Sequence, residues 1–206
     1  MKRDIRLPPV FRGMRIGLLG GSFNPPHAAH RALSLLALKR LGLHRVWWLV
    51  SPGNPLKDNR RLPPLDKRVA AARALAAHPA IDVTAVEAAL GTRYTYDTVL
   101  KLSRRFPGVH FVVIMGADNL AQLHRWRRWH ELVNLVPIAV LDRPGKDLAA
   151  RASPAAMALA RARRDDRSAR KLALTRPPAW VFLHGLKSSL SSTALRARRT
   201  PRRVGS

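Results

Sequence analysis

His27 and His30, three residues apart, close the stretch GGSFNPPHAAH at positions 20–30. Three kinds of role suit such a pair. Two imidazoles on one side of a helix can begin a zinc site, which needs further ligands to be complete. They can also cap or pack locally with no chemistry at all. Or both can donate hydrogen bonds to phosphate oxygens and stabilise developing negative charge. The preceding residues are compatible with the last role. Gly20 and Gly21 let a ligand approach the backbone closely, and a helix starting near the histidines presents free N–H groups and the positive end of its dipole. The chain contains no Cys, so thiolate ligands and thiol nucleophiles are excluded. Neither G-x-x-x-x-G-K-[ST] nor G-x-G-x-x-G occurs, which argues against a Walker-type NTPase and the usual dinucleotide fingerprint.

Other residues could share this chemistry. Lys57 follows an apolar run, although a loop lysine is as readily a solvated one. Ser192 and Thr193 open SSTALR, where a hydroxyl can cap a helix, bind phosphate, or do both, and Arg196 stands one turn further on. Asp118 sits where a helix would start, an ordinary place for a cap. Trp126 has the spacing of a core aromatic.

The elements that must position these residues alternate along the chain. Apolar, strand-length runs occupy 14–19, 45–51, 80–87, 109–116, 137–145 and 179–185. Helical periodicity fills 28–43, 65–78, 94–106, 126–135 and a basic stretch at 154–172, with a last helix starting at 191. Six strands separated by helices predict an α/β, Rossmann-like, doubly wound and mainly parallel sheet with helices on both faces, in one domain. Residues 1–13 read as a flexible basic leader, 14–199 as the domain and 200–206 as a basic tail. In such sheets ligands bind beyond the carboxyl ends of the strands, near the switch in strand order. The loops 20–30, 51–58, 116–126 and 185–193 all follow strands, and so should converge on one face.

Composition sets the outer bounds. The 206-residue chain is 47% hydrophobic and carries a formal charge of +26. No apolar run approaches the roughly 18 residues of a membrane span, and no signal peptide is visible, so a cytoplasmic protein is expected. The charge would welcome an anionic ligand; much of it lies in RARRDDRSARK and RARRTPRRVGS, which read as surface or tail. No RNA-recognition or helix-turn-helix signature accompanies it, so any nucleic-acid binding should be salt-sensitive and blind to sequence.

Two widely separated segments carry a resemblance. GGSFNPPHAAH is similar to the G-[ST]-F-[DN]-P-x-H-x-G-H signature of the nucleotidyltransferase superfamily, and SLSSTALR at 189–196 to its second signature. Between them WWLVSPGNPLKD, TRYTYDTV, IMGADNLAQLHRW and AVLDRPG resemble nicotinate-nucleotide adenylyltransferases, in family order over about residues 14–198. The resemblance implies transfer of the AMP moiety of ATP to nicotinate mononucleotide, giving deamido-NAD and pyrophosphate, with Mg²⁺ held by the ATP phosphates rather than by protein side chains. It implies ATP contacts for Gly20, Gly21, Ser22, Phe23, His27, His30, Ser192, Thr193 and Arg196, with Lys57 facing the phosphates. Among these, His27, His30, Lys57 and Arg196 would be the catalytic group. Tyr94 and Thr95 would meet the pyridine carboxylate, Trp126 would stack on the ring, and Asp118 would lie near the ribose. A sister enzyme acting on nicotinamide mononucleotide or another phosphorylated acceptor is one alternative, and a basic nucleic-acid-binding protein is another of a different class; a homo-oligomer is compatible with the enzyme readings. One departure stands out: the family glycine between the histidines is Ala29 here, whose methyl would crowd ATP if the base packs on that backbone.

Overall fold

A computed structural model describes residues 7–53, 59–60, 62–142 and 147–184. Its centre is a seven-stranded sheet built from β1 (Arg15–Gly21), β2 (Arg45–Val50), β3 (Ile81–Thr84), β4 (His110–Gly116), β5 (Ile138–Leu141), β6 (Arg163–Arg164) and β7 (Trp180–Leu183). The order is β3-β2-β1-β4-β5-β7-β6, and every pairing is parallel. The chain therefore winds outward in one direction from β1 through β2 and β3, then returns to β1's other side as β4. That reversal puts the switch point between β1 and β4, where the carboxyl ends of adjacent strands part.

Strict alternation along the strands builds two cores. Ile16, Leu18, Trp47, Leu49, Phe111, Val113 and Met115 point to one face. There they meet Val99 and Leu102 of α4 (Thr95–Arg105) and Leu132 and Val133 of α6 (Trp129–Leu135). Leu19, Val46, Trp48, Val50, Val112 and Ile114 point to the other. They pack on Leu33, Ala37 and Leu41 of α1 (Ala28–Leu41) and on Ala72 and Ala76 of α2 (Leu65–Ala76). Strands buried on both faces read as continuous apolar runs, which is why the strand segments were conspicuous. Trp47 and Trp48 are both fully buried, one in each core. A β-carbon at Gly17 would come within 2.3 Å of Ile114 Cδ1 and 2.7 Å of Leu43 Cδ1, so a larger residue there would have to displace both side chains.

Besides the predicted strand at 80–87, which stops at Thr84 and gives way to a short helix, α3 (Val86–Leu90), the structure departs from expectation at three places. A seventh, two-residue strand, β6, pairs with β7 at the sheet edge, and Arg163 lies over the Trp180 ring at 5.5 Å. After α7 (Asp147–Arg151), the predicted basic helix at 154–172 is broken into α8 (Pro154–Ala158), a 3-10 turn (Ala160–Ala162), β6 and a run of 3-10 turns (Asp166–Leu174). Asp165 restarts the chain there, its side chain accepting from Arg167 N–H at 2.7 Å, while Ala169, Leu172 and Ala173 are buried. Helix continuation would instead stack the arginines of this stretch at like-charge spacing. The third departure is at 126–135, where the helix starts only at Trp129: Arg128 takes a left-handed φ of 58°, and Trp126 lies in the preceding turn. At the amino end, Leu7 and Val10 pack on the first core, and Gly13 N–H donates to Gly108 O at 2.8 Å. No helix among the described residues is long and apolar enough to cross a membrane.

Candidate active site

The end of β1 runs along the switch-point crevice. Gly20 is exposed although it lies in the central strand, and no described atom lies within 4 Å of where its β-carbon would stand. Gly21 O accepts from Ser51 N–H at 2.9 Å, which ties the loop after β2 to the end of β1. Phe23 then turns the chain with a φ of 45°, unusual for a residue with a side chain. Its ring is buried and stacked on Trp48, centroids 5.0 Å apart and planes 16° from parallel.

His27 is the N-cap of α1, with extended backbone, and is only 5% exposed. Its N–H donates to Nδ1 of His30 at 3.2 Å, and His30 N–H returns to His27 O at 2.9 Å. The two rings are 3.8 Å apart between centroids, and His30 also lies 4.8 Å from Phe23. A buried chain fixes this turn from below. Trp48 Nε1–H donates to Ser34 Oγ at 2.7 Å, and Ser34 Oγ–H donates to His30 O at 2.9 Å. The first turn of α1 holds no acidic residue, so no carboxylate within it offsets the positive end of the helix dipole. Ala29, in that turn, is 1% exposed: its methyl is covered by protein and offers almost no surface to a ligand.

A second group of candidates gathers around α4. Tyr94 is the N-cap and Thr95 the first helical residue. Arg127 lies over the Tyr94 ring at 4.8 Å and Arg128 over Tyr96 at 4.1 Å, so the turn carrying Trp126 is held against the start of α4. Trp126 is partly buried on the first core. Behind this turn, Thr92 Oγ1 and Thr98 Oγ1 share a hydrogen bond at 2.8 Å, and Thr92 N–H donates to Glu87 O at 2.9 Å. Glu87 is buried, and desolvation pushes its carboxyl up to about 7 against a hydrogen bond from Thr98 that favours the ion. A groove of about 360 Å³ beside α4, lined by Arg93, Asp97 and Lys101, meets these residues at Thr92 and Tyr94. It lies apart from the histidines. Asp118 is exposed in the short α5 (Ala117–Leu120) that leaves the carboxyl end of β4; Gly116, not Asp118, occupies the cap position.

The structure thus brings Gly20, Gly21, Ser22, Phe23, His27 and His30 into one turn, and Tyr94, Thr95 and Trp126 into a second cluster. Asp118 stands at the end of β4, the strand next to β1. Lys57, Ser192, Thr193 and Arg196 lie outside the described residues, as does the expected helix from 191. Among the described residues no group of three or more His, Asp or Glu side chains is placed to hold a metal ion. Two buried charges carry no signal in the sequence: Arg68 of α2 looks like an ordinary helix-surface cation there, and Glu87 stands at the end of a strand-like run.

Comparison with known proteins agrees with this layout. The Cytidylyltransferase-like family model matches residues 18–198. A Bradyrhizobium protein named probable nicotinate-nucleotide adenylyltransferase is 61% identical over 89% of this chain and 95% of its own length. A Methylorubrum extorquens protein of the same name is 60% identical over 90% of this chain and 100% of its own. Among solved structures, Plasmodium falciparum nicotinic acid mononucleotide adenylyltransferase complexed with NaAD superposes with a TM-score of 0.65 at 18% identity. That match covers 89% of this chain and 83% of the other, and at this distance it bears on the fold.

Proposed function

The chain belongs to the nicotinate-nucleotide adenylyltransferase family, and we propose that it carries out the family reaction in the crevice between β1 and β4. The reaction joins ATP and nicotinate mononucleotide into deamido-NAD, a step of NAD biosynthesis, and releases pyrophosphate. A phosphate oxygen of the mononucleotide attacks the α-phosphorus of ATP in line with the departing bridge oxygen. One P–O bond forms, the α–β bond breaks, and pyrophosphate carries away the bond's electron pair. The nucleophile is already an anion, so neither a general base nor a covalent enzyme intermediate is needed. What the protein must supply is alignment, together with neutral or positive surroundings for the crowded phosphorus and the leaving group.

One observation carries this reading: the paired rings of His27 and His30 at the N-terminus of a 14-residue helix whose first turn has no acidic residue, just beyond the end of β1. The helix end and Gly20-Gly21 backbone suit the triphosphate, and the histidines donate to its oxygens. Lys57, Ser192, Thr193 and Arg196 add charge and hydroxyls to the same phosphates. Tyr94 and Thr95 take the pyridine carboxylate, Trp126 stacks on the pyridine, and Asp118 meets a ribose. A divalent ion, Mg²⁺, supplies further charge neutralisation when it arrives on the ATP phosphates. Imidazole and backbone N–H donors suit the phosphate oxygens that would carry such an ion.

The test is pyrophosphate release with ATP, Mg²⁺ and a panel of acceptors. Turnover with nicotinate mononucleotide well above nicotinamide mononucleotide is expected. The reverse preference would reassign the acceptor to a sister enzyme, and silence with every acceptor would end the reading.

A further inference from the structure

Arg68 is a buried guanidinium, 4% exposed, standing in the first turn of α2. It spends its donors on backbone carbonyls. Nη1 donates to Ser22 O at 2.8 Å and to Ser51 O at 2.7 Å; Nε donates to Pro63 O at 2.9 Å, and Nη2 to Pro52 O at 3.3 Å. Three stretches of chain therefore meet on one side chain: the turn after β1, the turn after β2 that leads toward Lys57, and the approach to α2. Burial lowers the Arg68 pKa, yet guanidinium is basic enough to stay charged. No salt bridge to it occurs among the described residues.

Placing a desolvated cation here is costly, so what it holds must be difficult to hold otherwise. The peptide between Ser22 and Phe23 answers that description. Phe23 takes a left-handed φ of 45°, a conformation that persists only where the surroundings fix it. It is gripped from both sides, by Trp48 stacked on its ring and by Arg68 on the carbonyl just before it. A trans peptide is planar, with its C=O and N–H on opposite edges. With Ser22 O captured by Arg68, Phe23 N–H is turned away from Arg68. By the same geometry, capture of Pro52 O turns Gly53 N–H away from it.

From this geometry we infer that Arg68 is a positioning residue for the nucleotide: it locks the turns after β1 and β2 so that their peptide N–H groups are preset for the ATP triphosphate. The inference rests on the reading that the turn at 20–27 receives ATP. Lysine could keep the charge but not the planar, multiply donating head that reaches all four carbonyls.

The experiment compares the native chain with Arg68→Lys and Arg68→Ala, measuring Kd for ATP with Mg²⁺ and, separately, for nicotinate mononucleotide. Both variants are first checked for cooperative thermal unfolding. The lysine variant should bind ATP about 10- to 100-fold more weakly, the scale of losing one hydrogen bond to a charged group. Its affinity for nicotinate mononucleotide should stay within about twofold, since that pocket is built on α4. Millimolar guanidinium should restore part of the ATP affinity of Arg68→Ala, by refilling the space with the same donors. Unchanged ATP affinity in a folded variant would overturn the inference. So would parallel loss of both ligands without guanidinium rescue, or loss of cooperative unfolding in both variants, either of which makes Arg68 a residue of the fold alone. ATP binding is read without turnover. Failure of the proposed acceptor thus leaves this result standing, while a native chain that binds no ATP would overturn both.

Discussion

The indole N–H of Trp48 and the hydroxyl of Ser34 meet at 2.7 Å in a buried contact between β2 and α1, and the same hydroxyl donates to the carbonyl of His30. A strand residue thereby supports the helix turn that carries the candidate phosphate-binding histidines. Ser34→Ala would leave the indole donor buried without its partner, at a cost of about 1–3 kcal/mol. Chemical denaturation should show a lower midpoint at an unchanged slope. A shift near zero would mean that the indole finds another acceptor and that the contact does not support the turn.

His27→Ala and His30→Ala should each lower kcat/KM by about 100-fold or more, on the scale of losing one preorganised donor to developing charge. Because the rings stand 3.8 Å apart, the double variant should lose less than the product of the single losses. Steady-state kinetics on folded proteins decides this. Independent, multiplicative effects would show that the rings serve separate contacts.

Ala29 fills the position at which the resembling family has glycine. Its methyl is covered by protein rather than facing a ligand, so Ala29→Gly should not raise turnover. It should lower stability by up to about 1 kcal/mol through the greater backbone entropy of glycine. A clear gain in kcat/KM for ATP would show that the methyl obstructs the nucleotide after all.

Glu87 makes stability depend on pH in the unusual direction. Its carboxyl is raised by burial from 4.5 to about 7, so the folded state binds the proton more tightly than the unfolded state does. The associated stability is fully present below pH 4.5 and is lost as pH rises through 7. A tenfold difference in proton affinity is worth about 1.4 kcal/mol, which puts the whole effect at a few kcal/mol. Urea unfolding at several pH values should therefore show Glu87→Gln gaining on the native chain as pH rises from about 5 to about 8. Parallel profiles for the two proteins would show that the buried group does not titrate in that range.

The sheet was legible because its strands are buried on both faces and are punctuated by helices with clear ends. Gly42 closes α1 in a left-handed conformation with φ 59°, as its place after a periodic apolar run suggests. What escaped notice had no local signal. A two-residue strand such as β6 has no period, and Asp165 interrupts a basic run whose composition still reads as helix. Trp126 falls outside its helix because Arg128 turns the chain beside Tyr96, a neighbour 32 residues away. Arg68 looks like the other cations of LDKRVAAARALAAH, and only the meeting of two strand-end turns buries it. Of the candidate site, the turn at 20–30 stood out because glycine, proline and histidine occur together over a few residues. The support beneath it comes from Trp48, Ser34 and Arg68, scattered along the chain.

Gly20 separates two demands on the chain. Its backbone is that of an ordinary strand, and no described atom lies near its missing β-carbon, so alanine or serine would fold there without strain. Folding alone gives no reason to keep glycine at the middle of a sheet. A library sorted for thermal robustness should therefore let this position drift, whereas one sorted for growth that depends on the enzyme's activity should hold it fixed. Divergence between those two selections at a single site would distinguish what the molecule needs in order to exist from what it needs in order to work.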